Sequence, residues 1–297
     1  MNAEFADAEL VGTFEPGSPE WHAARANGLG GSEIAAVMNL SPFESHYGLW
    51  HRKAGLIGPT PQSNIMKWGR RFEDDVIEEL EERHPEWLIA PVGTYRSLER
   101  PWQIANPDRV AFDRAGRRRG IEAKIAYDDD HDKWGDEFTD EIPVYYRTQV
   151  MHYMDVTGLR EFTVATLFMS GLRVREYAVR YDPVDAELIR VAGEAFMLSL
   201  KTGAVPDLDS HSATYQAVKE LAAGVVDEAV EISPSLAEMY DSARARMKAA
   251  EADKREATSR ILAAIGNRRY AECGTERVAI RTVRADGRTH SLQPVKG

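Results

Sequence analysis

At His84-Pro85 the hydrophobic period of this chain changes, and that change constrains the fold more than any other feature. Before it, the stretch from Met66 to about Arg83 carries Phe72, Val76, Ile77 and Leu80 at helical spacing. The proline stops that helix because it has no N–H to donate and its ring collides with the preceding turn. After it come WLIAPVGTYRSL, PWQIAN, RVAFD, a turn at Arg114-Ala115-Gly116 and RRGIEAKIAY, all with strand character, which read as a meander. Upstream, Ser18-Pro19-Glu20 supplies an N-cap, a first-turn proline and an acid for a short helix to about Ala26, ended by Asn27-Gly28. Ser32 is expected to cap a second helix from Glu33 to Met38, and Ser45 a third from His46 to Ala54, closed by Gly55. Downstream, Pro143 opens a helix to about Val156, and REFTVATLFM and RVREYAVRY flank Ser170-Gly171 as a hairpin. Helices follow over 185–202, 213–223 and 235–265, then short strands around RVAIRTV. Helices, strands, a helix and strands again make the class α+β (mixed α/β). We expect a boundary near residue 228, giving a domain over 1–228 and a helical and short-strand extension over 229–297.

A chain of 297 residues, 43% of them hydrophobic, can bury a substantial core. Its only cysteine, Cys273, excludes a disulfide framework or a multi-cysteine metal site within one chain, so any metal must be held by oxygen or imidazole. A net charge of −11 argues against a protein that coats nucleic acid non-specifically, but a local basic cleft suffices to dock DNA. No apolar run approaches the roughly 20 residues that span a bilayer, and the start, MNAEFADAELVG, is acidic. The expectation is a cytoplasmic protein with no membrane partner.

The chemistry concentrates in Ile104-Ala105-Asn106-Pro107-Asp108 and Ile121-Glu122-Ala123-Lys124-Ile125. Alternate side chains of a strand share a face, so Glu122 and Lys124 point one way while Ile121, Ala123 and Ile125 point the other. The hairpin between the segments can return Glu122 to Asp108. Two carboxylates and a lysine then converge, which suits phosphodiester hydrolysis, because Mg²⁺ takes one or two carboxylates and completes its shell with water and phosphate. Lys124 acts as a general base only if its pKa is depressed, and nearby carboxylates oppose that, so an electrostatic role is at least as well supported. Glu73 sits beside Phe72 and one turn before Ile77 and Leu80, at the edge of the core-facing stripe. An acid there needs a metal or a buried cation to compensate it.

Near the start, Gly30-Gly31-Ser32 at a helix beginning offers free N–H groups, a hydroxyl and the positive end of a helix dipole. Arg25 can add a bidentate contact to a phosphate. Asp128-Asp129-Asp130-His131-Asp132 is read as a solvated charge run, and Arg117-Arg118-Arg119, a hairpin tip able to touch a DNA backbone, as simply solvated in preference to a DNA contact. Tyr145, Tyr146, Tyr153 and Trp134 are read as core in preference to base-stacking residues. The helix over 235–265 has a thin apolar stripe, Leu236, Tyr240, Ala243, Met247 and Ala250, read as packing on a neighbouring helix or subunit.

Five segments in order, WHAARANGLGGSEIAAVMNLSPFESHYGLWHRKAGL, WGRRFEDDVIEELEE, ANPDRVAF, IEAK and YYRTQVMHYMDVTG, resemble the YqaJ-type viral recombinases. These are relatives of the phage lambda exonuclease within the PD-(D/E)xK nuclease superfamily. The resemblance implies a restriction-endonuclease-like core, a central mixed sheet flanked by helices. It implies that Glu73, Asp108 and Glu122, with the Ala123 carbonyl, bind Mg²⁺, for which Mn²⁺ can substitute. By the same resemblance Lys124 is the catalytic lysine, Gln149 a helix residue facing the site, and Arg25 with Ser32 a pocket for a terminal 5′-phosphate. It further implies 5′→3′ digestion of linear duplex DNA in phage-type recombination, an annealing partner protein and a ring-shaped homo-oligomer. Two alternatives stand beside it: a nicking or structure-specific endonuclease using the same residues, and a non-catalytic scaffold that binds DNA ends. The second is raised by Arg109, which follows Asp108 where the family commonly carries glycine.

Overall fold

The computed structural model describes residues 4–15, 17–61, 63–127, 133–222 and 224–295. The acidic run Asp128-Asp129-Asp130-His131-Asp132 lies outside the described residues. The chain forms two compact units, Met1–Val225 and Val226–Gly297.

The first unit begins with β1 (Ala8–Gly12) and α1 (Pro19–Ala26), whose N-cap Ser18 accepts from the Trp21 N–H. Next come β2 (Leu29–Gly30) and α2 (Gly31–Val37). Here the sequence expectation fails: Gly30, not Ser32, is the N-cap, and the Glu33 carboxylate closes the turn by accepting from the Gly30 N–H at 2.8 Å. The reason is local: Arg25 lies against Gly30 so closely that a Cβ there would meet the guanidinium, and a glycine cap leaves that space open. Ser32 falls inside the first turn. α3 (His46–Lys53) starts on Ser45 as expected, and α4 (Asn64–Arg83) starts two residues earlier than its apolar stripe suggests because Ser63 caps it.

β3 (Leu88–Pro91), β4 (Thr94–Ser97), β5 (Gln103–Ala105), β6 (Arg109–Phe112) and β7 (Arg118–Ala126) do not form one meander. β3 pairs with β6, which pairs with β7, so both edges of β6 are taken and β5 must find partners elsewhere. It finds them in a second sheet of order β1-β4-β5-β2, where all three of its residues are buried. From β7 the chain passes through α5 (Val144–Thr157) into β8 (Glu161–Phe168), which lies parallel to β7. β9 (Arg173–Arg180) returns antiparallel as the expected hairpin and completes a mixed sheet of order β3-β6-β7-β8-β9. α6 (Pro183–Thr202) and α7 (Ser212–Leu221) follow.

α5 is buried at nine of its fourteen positions, so it shows little amphipathic period and holds the interior of the unit. The main core gathers Leu29, Ile34, Tyr95, Met151, Phe162 and Phe196, and a second cluster under α4 joins Val76, Ile77 and Leu80 to Ala111, Ile121 and Ala165. The other unit holds α8 (Pro234–Ile265) and an antiparallel sheet of β10 (Tyr270–Cys273), β11 (Glu276–Val283) and β12 (Thr289–Pro294). Its small core is built on Ile265, Ala271 and Ala279, while Leu236, Tyr240 and Met247 of the α8 stripe are exposed. Among the described residues no helix is long and apolar enough to cross a membrane.

Candidate active site

The site forms where β6 stops pairing with β7. Their register ends at Arg109↔Ile121, so, among the described residues, 122–126 keep β8 on one side and have no strand on the other. Asp108, just ahead of β6, fills part of that gap: its Oδ2 accepts from the Ala123 N–H at 2.8 Å. A residue's N–H and C=O point to the same edge of a strand, so the Ala123 carbonyl also faces the gap. Alternation places Ile121 and Ala123 against α4 and turns Glu122 and Lys124 towards α5. Lys124 Nζ donates to Glu122 Oε1 at 2.6 Å and sits 4.9 Å from the centre of the Tyr146 ring. Gln149 of α5 donates to the same Glu122 oxygen at 2.5 Å and to the Tyr153 hydroxyl at 3.2 Å.

Glu73 arrives from α4. The cation that compensates it is Arg109, whose guanidinium donates to Glu73 at 3.1 Å, to Asp74 at 2.6 Å and to the Asp108 carbonyl at 2.7 Å. Glu73, Asp108 and Glu122 together line two adjoining clefts. One, of about 290 Å³, is walled by Lys124, Tyr146 and the start of α4. The other, of about 310 Å³, is walled by Arg25, Ser32, Arg70 and Gln149.

The three acids destabilise one another. Burial first, then the Glu122 charge, push the Asp108 carboxyl up to about 7. Burial raises Glu122, and burial followed by the charge of Asp108 raises Glu73. For Lys124 burial acts to lower the pKa, but Glu122 and Asp108 outweigh it and hold the amine protonated, which rules against a general-base role in this state. A cluster with these properties calls for a cation. Among the described residues no three His, Cys, Asp or Glu side chains close on one point as a complete metal cage. The donor set nonetheless fits a divalent ion. Glu122 Oε2 is buried with no hydrogen-bond partner, Asp108 and the Ala123 carbonyl face the same gap, and Mg²⁺ needs only one or two carboxylates beside water and phosphate.

Arg25 is 8% exposed, with its guanidinium over the Trp21 ring at 4.3 Å and donating to the Ser32 hydroxyl at 3.2 Å. The expected row of free N–H groups is reduced, because Glu33 takes the Gly30 N–H and also lies 3.8 Å from Arg25. Lys53 balances Glu33 with an ion pair of 2.8 Å. Gly31 admits Tyr153, whose ring would meet a Cβ at that position, and this brings α5 and Gln149 against the pocket.

Residues 20–160 match the YqaJ-like viral recombinase domain. The uncharacterized protein YqaJ of Bacillus subtilis (strain 168) is 28% identical over 214 residues, which cover 71% of this chain and 65% of that protein. Protein D345L of African swine fever virus (strain Badajoz 1971 Vero-adapted) is 38% identical over 56 residues, covering 19% of this chain and 16% of that protein. Among solved structures, an alkaline exonuclease (LHK-Exo) from Laribacter hongkongensis superposes with a TM-score of 0.50 at 17% identity, over 68% of this chain and 97% of that one. The same exonuclease in complex with dAMP gives 0.52 at 19% identity, with the same coverage. At these identities the likeness establishes the fold alone, that of the alkaline exonuclease.

Within the matched span 20–160 the structure gathers Arg25, Ser32, Glu73, Asp108, Glu122, Ala123, Lys124 and Gln149 around the adjoining clefts. Sequence reasoning assigned Tyr153 and Trp134 to the core, and both are buried there. It did not place Tyr146 or Arg70 at the site. The signal was available in both cases, since each stands three residues before a site residue on its helix, Gln149 for one and Glu73 for the other.

Proposed function

We propose that this chain is a divalent-metal-dependent DNA nuclease, a 5′→3′ exonuclease acting on linear duplex DNA in phage-type recombination. The observation that carries the reading is that the carboxylate cluster and the Arg25–Ser32 pocket open into one cleft, so a strand end and a hydrolytic centre can be held together. Asp108, Glu122 and the Ala123 carbonyl would hold the metal, with Glu73 lending an oxygen from α4; Mg²⁺ is the natural ion and Mn²⁺ a substitute. The bound ion supplies Lewis acidity to the phosphoryl oxygen and a lowered pKa to water. Lys124, kept protonated, meets negative charge as it develops on the phosphate. Gln149 and Lys124 both donate to Glu122 Oε1, which leaves the buried Oε2 without a hydrogen-bond partner. Arg25 and Ser32 bind the terminal 5′-phosphate through charge-assisted hydrogen bonds. A single-strand annealing protein and a ring of identical subunits are the partners this role would use.

One observation favours a second reading. Arg109 already neutralises Glu73 and Asp74, as a protein that binds DNA ends without cutting them would allow. Linear and covalently closed circular duplexes incubated with and without Mg²⁺ separate the possibilities. Loss of the linear form alone, only with Mg²⁺, is expected. Equal cutting of both forms would indicate an endonuclease, and binding of ends without hydrolysis would indicate the scaffold.

A further inference from the structure

Charge is distributed along α4 in an order that opposes the stability of the helix. Lys67, Arg70 and Arg71 lie in residues 64–72 of the helix with no acid among them, whereas residues 73–83 carry Glu73, Asp74, Asp75, Glu78, Glu79, Glu81 and Glu82 against Arg83. A helix dipole favours acids at the start and bases at the end, so this order must serve something outside the helix. Lys67, Arg70 and Arg71 are all exposed. Among the described residues no ion pair or hydrogen bond engages the side chain of Lys67 or Arg70. Yet Arg70 lines the cleft that holds Arg25, Glu73, Asp108 and Glu122. The other two guanidiniums of that cleft are engaged, Arg109 by Glu73 and Asp74, and Arg25 by Ser32 and, at 3.8 Å, Glu33. Arg70 is the cleft guanidinium whose donors remain free.

Lys67, Arg70 and Glu73 follow one another at three-residue steps on one ridge, rising about 4.5 Å per step. The ridge therefore leads from the exposed start of α4 to the carboxylates. Unpaired cations arrayed towards a hydrolytic centre, on a chain of net charge −11, match the phosphodiester backbone of an entering duplex. We propose that the first half of α4 is a grip for the DNA backbone, with Arg70 holding a phosphodiester inside the cleft and Lys67 one outside it. The inference rests on the nuclease reading and adds to it a surface distinct from the terminal-phosphate pocket. Such contacts fix register and orientation on the duplex without reading bases.

The test uses the full chain, with Ca²⁺ replacing Mg²⁺ to hold off hydrolysis, and fluorescence anisotropy on 5′-phosphorylated and 5′-hydroxyl duplexes across a salt series. Arg70→Ala and the double variant Lys67→Ala/Arg70→Ala should bind more weakly and by the same factor on both ends. The slope of log K against log salt should become shallower by about 0.9 for each contact removed. Thermal midpoints should stay close to the wild-type value, because among the described residues no ion pair or hydrogen bond holds either side chain and the Arg70 guanidinium only rests against Gly17. Unchanged affinity and slope would overturn the grip, and so would a loss confined to 5′-phosphorylated ends, which would move Arg70 into the terminal-phosphate pocket. Wild-type protein that digests and binds DNA while both variants match it refutes the grip alone. Wild type that binds neither duplex removes the nuclease reading as well.

Discussion

Asp108 is where stability and chemistry pull apart. Its carboxyl is raised from an ordinary 3.8 to about 7 by burial and by Glu122. Between those values the unfolded chain has released a proton that the folded chain still holds, so the metal-free fold loses stability as pH rises through that window. Asp108→Asn should flatten this loss, since its side-chain oxygen still accepts from Ala123, and should abolish cleavage. Thermal midpoints in EDTA at about pH 5 and about pH 8 check it, and a variant that falls as steeply as wild type would contradict it. Lys124→Ala should reduce turnover by roughly 100- to 1,000-fold, the scale of losing one preorganised charge at a transition state. Arg25→Ala should lose the preference for 5′-phosphorylated over 5′-hydroxyl ends, and a wild type indifferent to the two would remove that pocket's role. Glu122 and Lys124 were legible in the sequence because a strand's period of two leaves no choice of face. Arg109 was legible only as an oddity, because its partners Glu73 and Asp74 come from a helix about 35 residues away.

At the scale of elements, α5 ties the two sheets to the site through residues that also build the core. His152 is fully buried, with Nε2 against the Ile104 carbonyl of β5 at 3.2 Å and Nδ1 without a partner. Burial pushes its ring down to about 4 from 6.5. Above about 6.5 the neutral ring costs nothing; as pH falls towards 4 the unfolded chain takes up a proton that the folded one refuses, and up to about 3 kcal/mol is lost. That trend opposes the one from Asp108, so ring resonances, not midpoints, should be followed. His152 should remain neutral at about pH 5.5, and titration near 6.5 would show that the β5–α5 packing is looser than described. Helix starts at Ser18 and Ser45 were readable because a side-chain cap is a local event. The start of α2 was not, since Gly30 is selected by the guanidinium lying on it, and the apparent meander failed because pairing depends on which strand edges remain free.

At the scale of the whole molecule, both large apolar clusters lie within Met1–Val225, and Val226–Gly297 rests on a far smaller one. Residues 224–233 are exposed and carry neither helix nor strand. Limited proteolysis should cut there first and leave a larger fragment that still unfolds cooperatively, whereas first cuts inside α4 or α5 would refute this division. The match to the YqaJ-like viral recombinase domain and the fold shared with an alkaline exonuclease were visible in the order of five motifs, since such motifs are the parts of a chain that chemistry fixes in place. The most direct test of the central claim follows release of 5′-mononucleotides from a 5′-phosphorylated linear duplex, by wild type and Lys124→Ala, in Mg²⁺ and in EDTA. Steady release by wild type in Mg²⁺, with almost none in the other three arms, is expected. Release that persists in EDTA or in Lys124→Ala, or no release by wild type in Mg²⁺, would contradict a metal-dependent nuclease centred on Asp108, Glu122 and Lys124.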